Sequence, residues 1–406
     1  MLGPDPLQDL RWLLSEEGRA LLERYAAIGP EGRLSAMRKR LPRGRAESIH
    51  EMLELRRRAA SKLEGAERLW FTRRALEQAS GTLVARWKAK RFPPGGVVAD
   101  LCCGVGGDLR ELARRAGRVV GVDHDLRLCW MAHANLEADR DADMMPGEFA
   151  VVRADVVAFP VDTCTAWHID PDRRVGSRRT VSLERMLPGQ AAVESLWGQC
   201  HHGAVKLAPA TRLPASWNAS CERCWISARG ECKEQVLFRG DLAVHPGCRV
   251  AVRIESDGMA EELAIGEREL QGMQEPPLAD RIGDSFYEAE PSLLASGLAP
   301  LLAARQGLKR VTRGAGHVTG DGVDTGSWLR RYEVLHVLPL DQRRIRKAVR
   351  REGLRITAVK QRGMKLDVAR WQRDLTIDAD RPAVLIATRL RDRPIAVLAT
   401  PANGPG

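Results

Sequence analysis

No apolar run in this sequence approaches the roughly 20 residues that a helix needs to cross a bilayer. The opening stretch, MLGPDPLQDLRWLL, carries acidic side chains early and lacks a small-residue cleavage site, so no secretory leader is expected. Cysteine is missing before position 102 and after position 248. The nine present are Cys102, Cys103, Cys129, Cys164, Cys200, Cys221, Cys224, Cys232 and Cys248. An odd number confined to the middle of a 406-residue chain argues against a disulfide scaffold, which would be shorter and denser. These absences point to a reducing, cytoplasmic setting. Acidic residues are outnumbered, 53 Asp+Glu against 64 Lys+Arg, for a net charge of +11. That excess suits a polyanionic partner, although an arginine-rich solvated surface gives the same count. Internal repeats and low-complexity tracts are also absent.

What is present divides into four stretches. Residues 1–92 read as a helical region. Leu7, Leu10, Leu13, Leu14, Leu21 and Leu22 recur at helical spacing, as do Ile49, Met52, Leu53 and Leu55. A third helix is expected from Thr72 to Lys90, ahead of the breaker Pro93-Pro94-Gly95-Gly96. Residues 93–257 alternate strand and helix. VVADLCC, RVVGVD, FAVVRAD, TAWHID and GAVKLA read as strands of a parallel sheet with both faces covered, with a helical stretch from Ser182 to Gln199. A hairpin over Cys221–Phe238 and the strand CRVAVRIES bring the total to about seven strands. Residues 258–330 are expected to be a connector with short helices. Residues 331–406 read as a small α/β domain in the order strand, helix, strand, helix, then two strands joined by the turn RDRP.

The first strand runs into Asp100-Leu101-Cys102-Cys103-Gly104-Val105-Gly106-Gly107-Asp108 and opens into a helix. Glycines there let the backbone pass close to a ligand, and the helix start offers free amides to a carboxylate. S-adenosylmethionine (SAM) carries such a carboxylate. The dinucleotide pattern G-x-G-x-x-G fails, because Leu109 stands where the third glycine belongs, and no lysine completes a nucleotide loop. The second strand ends in Asp123, at the spacing from which a carboxylate reaches ribose hydroxyls. The third ends in Asp155, placed for an adenine amino group. The fourth ends in Asp170-Pro171-Asp172-Arg173-Arg174. Open parallel sheets bind ligands at this carboxyl edge, so four acidic strand ends beside a glycine-rich loop predict a SAM site.

At these residues the chain resembles class I SAM-dependent methyltransferases. DLCCGVGGDL is similar to the D-x-F-C-G-x-G-G motif of RNA enzymes such as trimethylguanosine synthase. A closer resemblance is to a bacterial family of methyltransferases with a THUMP-like C-terminal domain. It is carried by Leu76-Glu77-Gln78-Ala79-Ser80, by Asp170-Pro171-Asp172-Arg173-Arg174, by Trp225-Ile226-Ser227 with Glu231-Cys232-Lys233-Glu234, and by YEAEP and the segment from Tyr332 onward. The resemblance implies a seven-stranded Rossmann-like sheet with an N-terminal helical region and a small C-terminal α/β domain. It implies that Asp100, Gly104, Gly106 and Asp108 line the methionine part of SAM, that Asp123 holds the ribose and that Asp155 meets the adenine. Cys102, Cys103, Gly107, His124 and Val156 complete the candidate cofactor set. THUMP-type domains of related enzymes bind RNA, and the basic positions Arg343, Arg344, Arg346, Lys347, Arg350 and Arg351 fit that role; a solvated helix face is the other reading.

Enzymes that methylate an exocyclic base nitrogen resemble one another in a [DN]-P-P-[FYW] segment, whose aromatic stacks on a flipped base. Here Asp172 and Arg173 replace the second proline and the aromatic, so stacking would have to come from Arg173, Trp167 or Trp197. Asp170, Pro171 and Arg173 are the candidate catalytic residues, with Asp170 as the weak base and Arg173 and Arg174 as anion holders. Cys221-x-x-Cys224 with Cys232 and Cys248 invites a zinc reading, but a strand would point Cys221 and Cys224 to opposite faces, so buried thiols are expected and no metal. Cys102 and Cys103 belong to the cofactor loop rather than to a nucleophile. The reading is an RNA methyltransferase acting on ribosomal or transfer RNA. The alternatives are a small-molecule or protein methyltransferase and a non-catalytic SAM-fold RNA-binding protein.

Overall fold

A computed structural model describes residues 6–402 apart from 146, 173, 176–177, 180 and 313–315. The chain forms two compact units. One comprises Met1–Arg223, Glu234–Pro246 and Ile254–Ala260, and the other Cys224–Lys233, Gly247–Arg253 and Glu261–Gly406.

In the first unit the amphipathic helices Pro6–Leu14, Glu16–Ala26, Pro30–Arg38 and Arg43–Ala59 bury the expected apolar stripe. Leu10, Leu13, Leu22, Ile49, Met52, Leu53 and Leu55 share one core with Trp70, Phe71, Val105 and Met131. Asn135 ties this layer to the glycine loop. Its side chain accepts from the Trp70 amide at 2.7 Å and donates to the carbonyls of Trp70 and Val105 at 3.1 and 2.8 Å. The single helix expected from Thr72 to Lys90 is two, Arg73–Gln78 and Thr82–Ala89. Thr72 caps the first, and the chain breaks at Ala79-Ser80-Gly81, where serine and glycine are weak helix formers. The stretch from Ser182 to Gln199 is likewise interrupted. Pro188 cannot continue a helix, and the regular helix is Gln190–Gln199.

The strands are β1 (Val97–Leu101), β2 (Arg118–Asp123), β3 (Glu148–Arg153), β4 (Ala166–Ile169), β5 (Gly203–Leu207), β6 (Glu222–Ala228), β7 (Glu231–Arg239), β8 (Cys248–Ile254) and β9 (Ala260–Gly266). They form a sheet of nine rather than about seven strands, in the order β9-β8-β6-β7-β5-β4-β1-β2-β3. β1 pairs in parallel with β2 on one side and β4 on the other. The parallel run continues through β2–β3 and β4–β5, and β7 turns antiparallel against β5. Chain order therefore reverses at β1 and β4, and the crevice outside the carboxyl ends there is where such sheets hold ligands.

The second unit carries a seven-stranded sheet. Its strands are β10 (Ser285–Ala289), β11 (Lys309–Arg310), β12 (His317–Gly320), β13 (Leu329–Pro339), β14 (Leu354–Gln361), β15 (Arg381–Leu390) and β16 (Arg393–Pro401). Their order is β11-β12-β10-β13-β16-β15-β14. The stretch 258–330 thus holds the short helices Pro291–Ala295 and Ala299–Arg305 and, in addition, strands. β15 and β16 close on the two-residue turn Arg391-Asp392, both at positive φ, as tight hairpins require. The helices Gln342–Arg351 and Val368–Leu375 pack Ile345, Val349 and Leu375 onto Leu354, Ile356, Leu385 and Leu398.

Candidate active site

The glycine loop leaves β1 through a strained turn. Cys102 takes φ 58°, in the region a side chain rarely adopts, and Gly104 takes φ 57°. A Cβ built on Gly104 would meet nothing within 4 Å, so the backbone borders open space there. Gly107 is small for a different reason: its Cβ would lie 3.0 Å from the Ser80 amide nitrogen. The break between the two pre-sheet helices therefore packs directly against the loop.

The four carboxylates differ in their surroundings. Asp100 lies inside β1 rather than at its end. It is buried, and its Oδ1 meets His168 Nδ1 at 2.7 Å, a cross-strand pair from β4. Its Oδ2 and His168 Nε2 are buried without a hydrogen-bond partner. Burial pushes the Asp100 carboxyl above its ordinary value, against the opposing pull of His168. Asp123 ends β2 and accepts from the Gly104 amide at 2.9 Å and from the Asp125 amide at 3.0 Å. Oδ1 also lies 3.3 Å from His124 Nδ1, and Oδ2 retains a lone pair for a further donor. His124 beside it is exposed. Asp155 lies two residues beyond β3, is exposed, and uses Oδ1 to accept from the Val157 amide at 3.0 Å; Val156 next to it is buried. Asp170 follows β4, and its amide donates to the Leu101 carbonyl at 3.2 Å.

Behind the loop lies a chain of buried charges. Lys88 bridges Asp108 at 2.7 Å and Glu234 at 2.6 Å. Lys206, within β5, meets Asp170 Oδ2 at 2.5 Å and Ser80 Oγ at 2.9 Å. The Ser80 hydroxyl in turn donates to Asp108 at 2.6 Å. Burial pulls both lysines down, but the carboxylates around them outweigh it and hold them above the ordinary value. Burial raises Asp108, and the opposing charges of Lys88, His168 and Lys206 bring it well below the usual carboxylate range. Lys88, Lys206, Glu234, Ser80 and His168 were not among the residues expected from sequence. The available signal was a lysine inside GAVKL, a strand otherwise apolar and buried along its whole length.

Trp167 and Trp197 do not reach this rim. Both are buried in the sheet core, and the Trp167 indole N–H donates to the Cys200 carbonyl at 2.8 Å. Pro171 is buried, and the Asp172 carboxylate meets Arg74 at 3.0 Å. Arg173 lies outside the described residues, as does the side chain of Arg174. All nine cysteines are free thiols. Burial raises Cys102 and Cys103 far above a reactive value, as expected for loop packing rather than nucleophilic work. Among the described residues no group of three or more His, Cys, Asp or Glu side chains is placed to hold a metal ion.

The glycine cradle, the half-satisfied Asp100 and the anionic rim fit a positively charged sulfonium nucleotide. An uncharacterized S-adenosylmethionine-dependent methyltransferase of Mycobacterium tuberculosis, in strains CDC 1551 / Oshkosh and ATCC 25618 / H37Rv, is 30% identical over 355 residues, 85% of this chain and 93% of that protein. The chain belongs to the SAM-dependent methyltransferases. This methyltransferase matches the family described as THUMP domain-like over residues 329–401. A crystal structure of a candidate methyltransferase from Porphyromonas gingivalis W83 has the same fold, with a TM-score of 0.73 at 17% identity over 98% of each chain. The enzyme is thus a class I methyltransferase with a THUMP-like C-terminal domain, and SAM is its cofactor. No described helix is long and apolar enough to cross a membrane.

Proposed function

We propose that the enzyme methylates RNA, ribosomal or transfer, in the cytoplasm. The observation that carries this is the helix Gln342–Arg351 of the THUMP-like domain. Ile345, Ala348 and Val349 are buried, while Arg343, Arg344, Arg346, Lys347, Arg350 and Arg351 are all exposed. Among the described residues Arg351 is ion-paired, with Glu352 at 3.0 Å, and the other five have no acidic side chain within 4 Å. Five unneutralised cations on one face form an electrostatic footprint for a phosphate backbone.

In this reading Asp100, Gly104, Gly106 and Asp108 surround the methionine part of SAM. Cys102, Cys103 and Gly107 shape the loop, Asp123 and His124 meet the ribose, and Asp155 and Val156 border the adenine. Bound there, SAM supplies a methyl group on a positively charged sulfur. The chain's own contribution is to align the acceptor in a dry pocket and to take its proton at Asp170, beside Pro171 and Arg173. Purified protein should transfer the methyl of tritiated SAM to total RNA, and the label should disappear with nuclease and survive protease. Label that survives nuclease and disappears with protease would overturn the reading.

A further inference from the structure

The buried charge chain also constrains which kind of atom is methylated, an inference that rests on the RNA methyltransferase reading above. Two ammonium groups, Lys88 and Lys206, lie among three carboxylates, Asp108, Asp170 and Glu234. The side chains of Lys88, Lys206, Asp108 and Glu234 are between 2% and 9% exposed, whereas Asp170 is 26% exposed. The chain therefore reaches solvent at Asp170, on the carboxyl edge next to the glycine loop. The Lys206 ammonium lies directly behind that carboxylate, 2.5 Å from Asp170 Oδ2 and 2.9 Å from Ser80 Oγ, so an acceptor that displaces part of the Asp170 contact would meet its N–H donors.

This pairing suits some acceptors and not others. An exocyclic amino group presents two N–H donors and wants acceptors around it; a lysine ammonium has three donors and no acceptor. A flipped base also wants an aromatic face. The position after Pro171 is Asp172, whose carboxylate is held by Arg74 and whose backbone pairs with Leu187; of the stacking candidates, Trp167 and Trp197 are buried in the core and Arg173 lies outside the described residues. A hydroxyl acceptor suits the donor and needs no aromatic face. It has one proton to give to Asp170 and an oxygen that accepts from Lys206 as negative charge builds on it.

We infer that the acceptor is a ribose 2′-hydroxyl of RNA, with Asp170 taking its proton and Lys206 donating to its oxygen. The hydroxyl oxygen forms the new bond to the methyl carbon as the carbon–sulfur bond breaks and sulfur keeps the electron pair. The proton passes to Asp170. A methyl ether, a neutral thioether and a protonated carboxyl result, so the sulfonium charge leaves as that proton.

Alkali cleaves RNA through a free 2′-hydroxyl, so the test is alkaline hydrolysis of RNA labelled with tritiated SAM. Label in alkali-resistant dinucleotides is expected. Label in mononucleotides would place the methyl on a base and overturn the inference while leaving the RNA reading intact; unlabelled RNA would remove the RNA reading itself. Lys206→Met should lower transfer by about a hundredfold or more, mainly in kcat. Its S-adenosylhomocysteine affinity by calorimetry should stay within about threefold, because Lys206 acts on the acceptor. Weakened binding in a folded variant would assign Lys206 to the cofactor and overturn its role at the acceptor oxygen. Should Lys206→Met fail to fold, Asp170→Asn decides: transfer retained at wild-type level would sink the proposal.

Discussion

The two units use charge in opposite ways. Around the glycine loop it is turned inward: Asp100, Asp108, Lys88, Lys206 and Glu234 are buried. Arg110 and Asp139 are buried alongside, joined by two hydrogen bonds at 2.8 and 2.7 Å that fasten the loop's helix to the one after β2. On the helix Gln342–Arg351 charge is turned outward, with six bases in water and three apolar residues inside. Buried charge survives only with partners at fixed geometry, since desolvation is costly. It therefore marks positions where precise placement matters. Exposed charge is mobile and screened by salt, which suits the RNA-binding role proposed for that helix. In the proposed function, the contrast assigns chemistry to the inward charge and RNA recognition to the outward charge.

If that contrast is real, removing a buried cation should hurt most. Lys88→Met leaves Asp108 and Glu234 facing each other with Lys206 alone between them. The expected cost is about 3–5 kcal/mol of stability, read from the denaturant midpoint. A cost under about 1 kcal/mol, the range of exposed pairs, would show that water reaches the network and erase the distinction.

His317 sharpens the comparison from the other side, as a buried titratable group in the unit whose helix carries its charge outside. It packs against Phe286 with ring centres 4.9 Å apart and meets Thr388 Oγ1 at 3.0 Å. Burial, with Arg362 and Lys360 nearby and Glu288 opposing, brings its pKa from 6.5 down to about 4. A histidine depressed in the folded state contributes stability that is present above 6.5 and lost as pH falls through about 4. The full span is on the order of 3 kcal/mol. An NMR titration of the intact protein should show the His317 ring neutral at pH 6, and His317→Gln should flatten acid destabilisation between these limits. A ring titrating near 6.5 would contradict the burial argument.

Much of the first unit was legible because its strands are short apolar runs that end in acids. RVVGVD is β2 to the residue. Four strands escaped. AEELAIG (β9) alternates weakly and buries one residue, SFYEA (β10) sits between turn-rich segments, KR (β11) is two residues long and HVTG (β12) four. Each is fixed by pairing with its neighbours in the sheet rather than by its own pattern. The candidate site was half legible. Asp100, Gly104, Asp123 and Asp170 belong to local motifs, and the structure places them along one edge of the sheet. Ser80 and Lys206 bond across 126 positions of sequence, so the lysine in an apolar strand is visible locally but its partner is not. Trp167 and Trp197 show the converse error: a large aromatic near a site in sequence is more often core, and these two pack 5.9 Å apart behind the sheet.

Asp123 tests the chemical half of the comparison at smaller scale. It already holds the Gly104 amide, so Asp123→Ala removes both a loop tie and the proposed ribose contact. Affinity for SAM by calorimetry should fall about ten- to a hundredfold or more, the worth of one or two charge-assisted hydrogen bonds. Unchanged affinity would move the cofactor elsewhere on the edge.

The recognition half predicts a graded effect. Arg343, Arg346 and Arg350 stand in water on the outer face, so replacing them with glutamine should leave the unfolding midpoint and SAM affinity as they were. Every phosphate that the helix no longer neutralises should flatten the plot of log affinity against log salt by about 0.7 for single-stranded RNA. Affinity at low salt should fall more than affinity at high salt, because the released counterions are the driving term. A variant weakened equally at all salt concentrations would mean that these arginines read shape or bases, and that the outward charge of this unit is as specific as the inward charge of the other.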